Sequence, residues 1–238
     1  MDSVLDELGA YAPFVAALVL VGVPMLWSAT RHIVTLIHEA GHAIAALATG
    51  RQLMGIRLHS DTSGLTLSRG KPRGMGMVLT TAAGYAAPPL LSIVASLLIA
   101  GGHVQALAWG TLILSLAMLF MIRNLFGAVL LVVIVVGLVL LGRHTTLDLQ
   151  VQLFYVVIWL LVLGNVRTIG EGARNRSGRS DLDGLSHLTH LPRGLWVLVL
   201  YVGAIASGFA VWHLQGLAWP AALTALGTTA LGLSLIHI

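Results

Sequence analysis

Apolar residues run along this chain in long blocks, with little alternation. Five stretches lack Asp, Glu, Lys and Arg altogether: residues 8–30, 74–122, 124–142, 149–166 and 194–238. A sixth run, 33–49, is apolar but contains one glutamate and two histidines. A helix crossing a bilayer takes about 20 residues. By that rule 74–122 holds two passes, hinged near Gly101-Gly102, and 194–238 holds two, broken near Trp219-Pro220. The pattern predicts an all-α polytopic membrane protein with seven or eight transmembrane helices in a single integral-membrane domain, 1–238. Its expected parts are an N-terminal helix (8–30), a second helix (31–50), a basic loop (51–73), four helices (74–166), a polar segment (167–193) and C-terminal helices (194–238).

The basic loop has a different rhythm. Ile56 and Leu58 alternate with Arg57 and His59, Asp61-Thr62-Ser63-Gly64 supplies turn residues, and Leu65 and Leu67 alternate with Thr66 and Ser68. Period-two alternation around such a turn predicts a β-hairpin.

Composition agrees with a membrane setting. Of the 238 residues 57% are hydrophobic and 9% charged, against about 25% charged in a soluble domain. Mean hydropathy is +0.92. A water-facing globule, disorder and collagen-like repeats are excluded. There is no cysteine, which removes disulfides, thiolate ligands and cysteine nucleophiles together. The net charge is +4 and the pI about 10.1. No aromatic-interleaved basic patch accompanies that charge, so nucleic acid is not an expected partner. Ten of the 13 Lys and Arg lie in 51–73 and 167–193. The positive-inside rule places both segments on the cytoplasmic side. Four passes between them return the chain to that side. The start is acidic (Asp2, Asp6, Glu7) and lacks the positive region of a secretory signal, so 8–30 is expected to be a retained helix. The end, 233–238 with His237, reads as an extraneous apolar tail and is assigned no site.

One run carries chemistry. His38-Glu39-Ala40-Gly41-His42 spells H-E-x-x-H. A shuffled chain of this composition gives about 0.005 such matches by chance. On a helix, residues four apart share a face, so two imidazoles at 38 and 42 can bind one zinc ion. Glu39, offset by about 100°, can reach a metal-bound water and act as general base. Three ionisable residues in five positions of an apolar helix are costly to retain without a role.

A catalytic zinc takes three protein ligands and a water, and no third ligand follows within the helix. The polar segment offers Ser180-Asp181-Leu182-Asp183-Gly184-Leu185. Asp183 is the expected third ligand and Asp181 the second choice, with Glu171, His187 and His190 weaker candidates. His32, His59, His103, His144 and His213 read as interfacial or packed. Arg123-Asn124 reads as an interfacial turn, with a substrate-orienting role as the alternative.

These motifs resemble the site-2 protease family, zinc metallopeptidases that cut within the membrane, in its small bacterial branch without an inserted PDZ domain. The resemblance covers roughly residues 31–195. It implies ligands at His38 and His42, Glu39 as base, and a third ligand from Leu182-Asp183-Gly184. A short β element after the first motif matches 51–69, and Ala83-Gly84-Tyr85-Ala86-Ala87-Pro88 is similar to the Gly-Pro helix that follows it. The family's Asn and Pro before Leu-Asp-Gly have no counterpart in Gly178-Arg179-Ser180-Asp181. The implied activity is zinc-dependent hydrolysis of membrane-protein or membrane-associated peptide substrates, in a bacterial cell membrane, near the cytoplasmic face. Two other classes compete. One is a catalytically silent, zinc-binding regulatory protein. The other is a metal-ion transporter, disfavoured because Asp148 is the one acid between residues 74 and 166.

Overall fold

The computed structural model describes residues 2–175, 178 and 180–217, with side chains from residue 9 onward. Eight helices and one hairpin follow in chain order: α1 (Asp2–Gly22), α2 (Pro24–Ala48), β1 (Gln52–Leu58), β2 (Gly64–Arg69), α3 (Met75–Ala100), α4 (Val104–Met121), α5 (Leu125–His144), α6 (Leu147–Arg174), α7 (Asp181–Thr189) and α8 (Arg193–Leu214). The expected class holds: an all-α polytopic protein with a small antiparallel sheet. Five helices (α3, α4, α5, α6, α8) are long and apolar enough to cross a membrane, and the bent α1–α2 pair makes a sixth if taken as one span.

Among the described residues that count is five or six, against seven or eight expected of the whole chain. The runs 8–30 and 33–49 form a bent pair. Their helices meet at Val23 with a bend of 105°. Pro24 opens α2, as proline favours the first helical position, and forces extended backbone on the residue before it. Val23 accordingly has φ −83° and ψ 119°. The expected break at Trp219-Pro220 and the pass expected after it lie outside the described residues, as do 233–238. The Gly101-Gly102 hinge lies where expected, between α3 and α4.

The 149–166 run is also longer than expected. α6 continues to Arg174 because its charges find partners. Arg167 Nε pairs with Glu171 one turn on, at 3.0 Å. Arg31 Nη1 of α2 meets Glu171 Oε2 at 3.0 Å. Trp27 Nε1 donates to Glu171 Oε1 at 3.3 Å, and Arg167 also donates to the Val21 carbonyl. One carboxylate thus ties α2 to α6, and Arg167 ties in the end of α1.

α2 and α3 approach closely. A Cβ on Gly41 would stand 2.6 Å from the Ala87 Cβ. This is the small-residue contact through which membrane helices associate. α3 carries Pro88 and Pro89 in its interior. Proline donates no hydrogen bond to the carbonyl four residues back. The Tyr85 carbonyl so freed accepts from Asn165 Nδ2 of α6 at 3.1 Å.

The hairpin forms in the expected place. Gly55 stands at a bulge with φ +140°, a conformation L side chains rarely adopt. The second edge of β1 is covered by the turn between α4 and α5. Arg123 N–H donates to the Ile56 carbonyl at 2.9 Å. Asn124 bonds both main-chain groups of Leu58: its Oδ1 accepts from the N–H at 3.1 Å and its Nδ2 donates to the carbonyl at 2.5 Å. Arg123-Asn124 is therefore a turn, as expected, and also a third partner of the sheet.

Candidate metal centre

α2 brings Arg31, Thr35, His38, Glu39 and His42 to one side of a cavity of about 430 Å³, opposite β2, α3, α6 and Asp181 of α7. His38 and His42 Nε2 lie 3.1 Å apart. Asp181 Oδ2 lies 3.0 Å from His38 Nε2 and 3.2 Å from His42 Nε2. The triangle is nearly equilateral. Zinc bonds of 2.0–2.1 Å in a tetrahedron would set such edges at about 3.3 Å. Among the described residues, His38, His42 and Asp181 form the group with metal-binding geometry.

The surroundings suit a cation. His42 Nδ1 lies 2.7 Å from the Thr80 carbonyl. A carbonyl only accepts, so Nδ1 carries the proton and, in the neutral ring, Nε2 presents its lone pair. Gly84 leaves room beside the triangle: a Cβ there would stand 2.5 Å from both Nε2 atoms. Burial works against the Asp181 charge, but hydrogen bonds with His38 and His42 outweigh it and hold its carboxyl well below the usual range. It is ionised at neutral pH, the form a metal ligand needs.

Glu39 lines the same cavity and is buried. Its Oε2 accepts from Thr66 Oγ1 at 2.6 Å. Gly64 lies against the carboxylate, where a Cβ would meet Oε1 at 2.6 Å. The ladder directions follow from the pairing. Ile56 and Leu58 turn their main-chain groups toward residues 123 and 124. Their cross-strand partners Thr66 and Gly64 therefore turn theirs to the opposite edge. That edge of β2 has no strand partner among the described residues and borders the cavity.

The structure separates the two aspartates. Asp183, the first choice from sequence, points away from the histidines. It forms a capping box with Ser180, whose N–H and Oγ both donate to Asp183 Oδ2. Its Oδ1 lies 3.3 Å from Arg193 Nε. The Ser180 hydroxyl, foremost, and Arg193 keep its carboxyl below the usual range. Asp181, the second choice, meets both imidazoles. A signal for this was present: Ser-x-x-Asp is a capping-box spelling and commits Asp183 to Ser180. Glu171 lines the same cavity but is paired with Arg31 and Arg167. His187 and His190 are exposed, and His190 caps α7 with φ +59°. His32 packs at a tilt against Phe126, His59 neighbours Ser63, and His103, His144 and His213 sit at helix ends. Sequence reading missed Thr66 and Asn165 and gave Tyr85 no role. Nothing local marks them, since each acts through a partner far along the chain.

A helical membrane protein with two histidines and an aspartate converging beside a buried glutamate defines a class before any comparison. A family model described as Peptidase M50B-like matches residues 11–213. The chain belongs to that metallopeptidase family, and the kinship with site-2 proteases is thereby established. No curated protein and no solved structure matches the chain.

Proposed function

We propose that this protein is an intramembrane zinc metalloprotease that hydrolyses peptide bonds of membrane-associated substrates. The observation that carries the reading is the His38–His42–Asp181 triangle opening on the same cavity as buried Glu39. His38, His42 and Asp181 would hold the metal. Bound zinc supplies an acidified water and a Lewis acid for the scissile carbonyl. Glu39 takes the proton of the attacking water and delivers it to the leaving amine. Thr66 fixes the Glu39 carboxylate for that transfer.

A helical substrate hides its carbonyls in its own hydrogen bonds and has to unwind first. The open edge of β2 offers the unwound segment main-chain partners at Gly64 and Thr66, beside Glu39. This is strand addition to an exposed edge. The basic segments on either side of four helices support a site near the cytoplasmic face of the membrane.

The test uses the full chain in lipid vesicles, loaded with zinc, with labelled unfolded casein as substrate. Glu39→Gln is expected to lower cleavage by a factor of 10² to 10⁴ while retaining zinc. Asp181→Ala is expected to lose zinc. Cleavage by Glu39→Gln at the wild-type rate removes the base assignment. Stoichiometric zinc with no Glu39-dependent cleavage supports a silent, zinc-binding regulatory protein.

A further inference from the structure

We propose that Tyr85 is a further catalytic residue, its phenol O–H donating a hydrogen bond to the carbonyl oxygen of the scissile bond as negative charge develops there. This rests on the hydrolase reading above and adds a group to the same site.

Tyr85 follows the glycine that adjoins the metal-binding triangle. Its ring packs edge-on against His38, with centroids 4.8 Å apart at 90°. The side chain is 7% exposed yet borders the cavity. A buried hydroxyl normally has a partner. The other helix-borne hydroxyls around the cavity obey that rule. Thr35 donates to the Thr62 carbonyl, Thr80 to Gly76, Thr81 to Met77 and Thr168 to Asn165. Tyr85 O–H donates to nothing among the described residues. It is not sealed in the protein either, because it is absent from the buried polar atoms that lack partners. It is an unused donor on a residue that lines the cavity holding the metal-binding triangle and Glu39.

Two features hold it there. Gly172 of α6 has no Cβ where one would stand 2.6 Å from the Tyr85 hydroxyl. Asn165 fixes the Tyr85 main chain through the carbonyl that Pro89 leaves free. The backbone is thus tied to α6, the ring to His38, and the hydroxyl has clearance.

The chemistry balances without transfer of the phenol proton. The water oxygen bonds to the carbonyl carbon, Glu39 takes one water proton, and the C=O π pair moves onto oxygen. Tyr85 stabilises that oxyanion by hydrogen bonding and keeps its proton, its ordinary pKa being about 10. The pair then reforms C=O, the C–N bond breaks, and the amine nitrogen takes the proton from Glu39.

Tyr85→Phe removes one oxygen and preserves the ring contact with His38. In the zinc-loaded full chain, casein cleavage should show kcat reduced 10²- to 10³-fold, with KM within about twofold and zinc content unchanged. A phosphinic peptide, which imitates the tetrahedral oxygens, should bind the variant at least tenfold more weakly than wild type. An unchanged kcat overturns the proposal, as does loss of zinc, which would make Tyr85 a structural support. If wild type does not cleave casein, the hydrolase reading fails separately. The phosphinic peptide still decides Tyr85, because equal affinity for both chains rejects it.

Discussion

Inside the protein, 11% of the apolar stretch of α5 is buried, against 56% of that of α6. α4 resembles α5, at 17%. The helices that turn most of their surface to lipid need only be greasy. They bear exposed Val133, Val136 and Leu140, and Cβ atoms added at Gly110 or Gly137 would meet nothing. α2, α3 and α6 are interrupted by histidine, glutamate, asparagine, proline and arginine, and nearly every interruption has a partner on another element. Hydropathy alone does not separate these helices, since α4 and α6 share a mean of 1.9 at 17% and 56% burial. The chemistry lies on those that carry the interruptions.

Paired glycines give the sharpest test of this contrast. Gly84→Ala places a methyl 2.5 Å from both Nε2 atoms, and we expect bound zinc and proteolysis to be lost. Gly137→Ala should leave both unchanged, with thermal stability equal or higher. Metal analysis and a casein assay on both variants read the result, and zinc retained in Gly84→Ala would show that the triangle has another open side.

The two aspartates give a smaller effect. Asp183→Ala removes the N3 half of the α7 capping box and the partner of Arg193, while the Ser180 hydroxyl still accepts from the N–H of residue 183. Disturbing the support behind a ligand typically weakens metal binding 10- to 100-fold. Zinc titration should place Asp183→Ala in that range, between wild type and the metal-free Asp181→Ala. Equal zinc loss in both variants would make the two carboxylates joint ligands.

Smallest of all, Val133→Ala on α5, where the residue is 62% exposed, should change stability by no more than about 0.5 kcal/mol. A larger loss in a thermal melt would reveal a packed face on α5.

Local rules carried much of this into the sequence. The i, i+4 histidines, the alternation at residues 56–68 and the hinge at Gly101-Gly102 are consequences of spacing, and spacing is written in one dimension. The extent of α6 is not legible in the sequence because Arg167 and Glu171 look like the end of a span. Glu171 is tolerated because Arg31 and Trp27 arrive from 140 and 144 positions away. The choice between Asp181 and Asp183 turned on a cap and an ion pair three and ten residues downstream of Ser180 and Asp183. The cap was readable in the spelling. The pairing with Arg193 depends on how α7 and α8 fold together, and no periodicity records that.

The sheet's third partner ties these two regions together. α4 and α5 have little side-chain grip on the rest of the bundle, but the turn between them is sewn to β1 by Arg123 and by an asparagine side chain that imitates a peptide group. Directional bonds to a strand therefore give an oily pair of rods its address, which undirected contact with lipid cannot do.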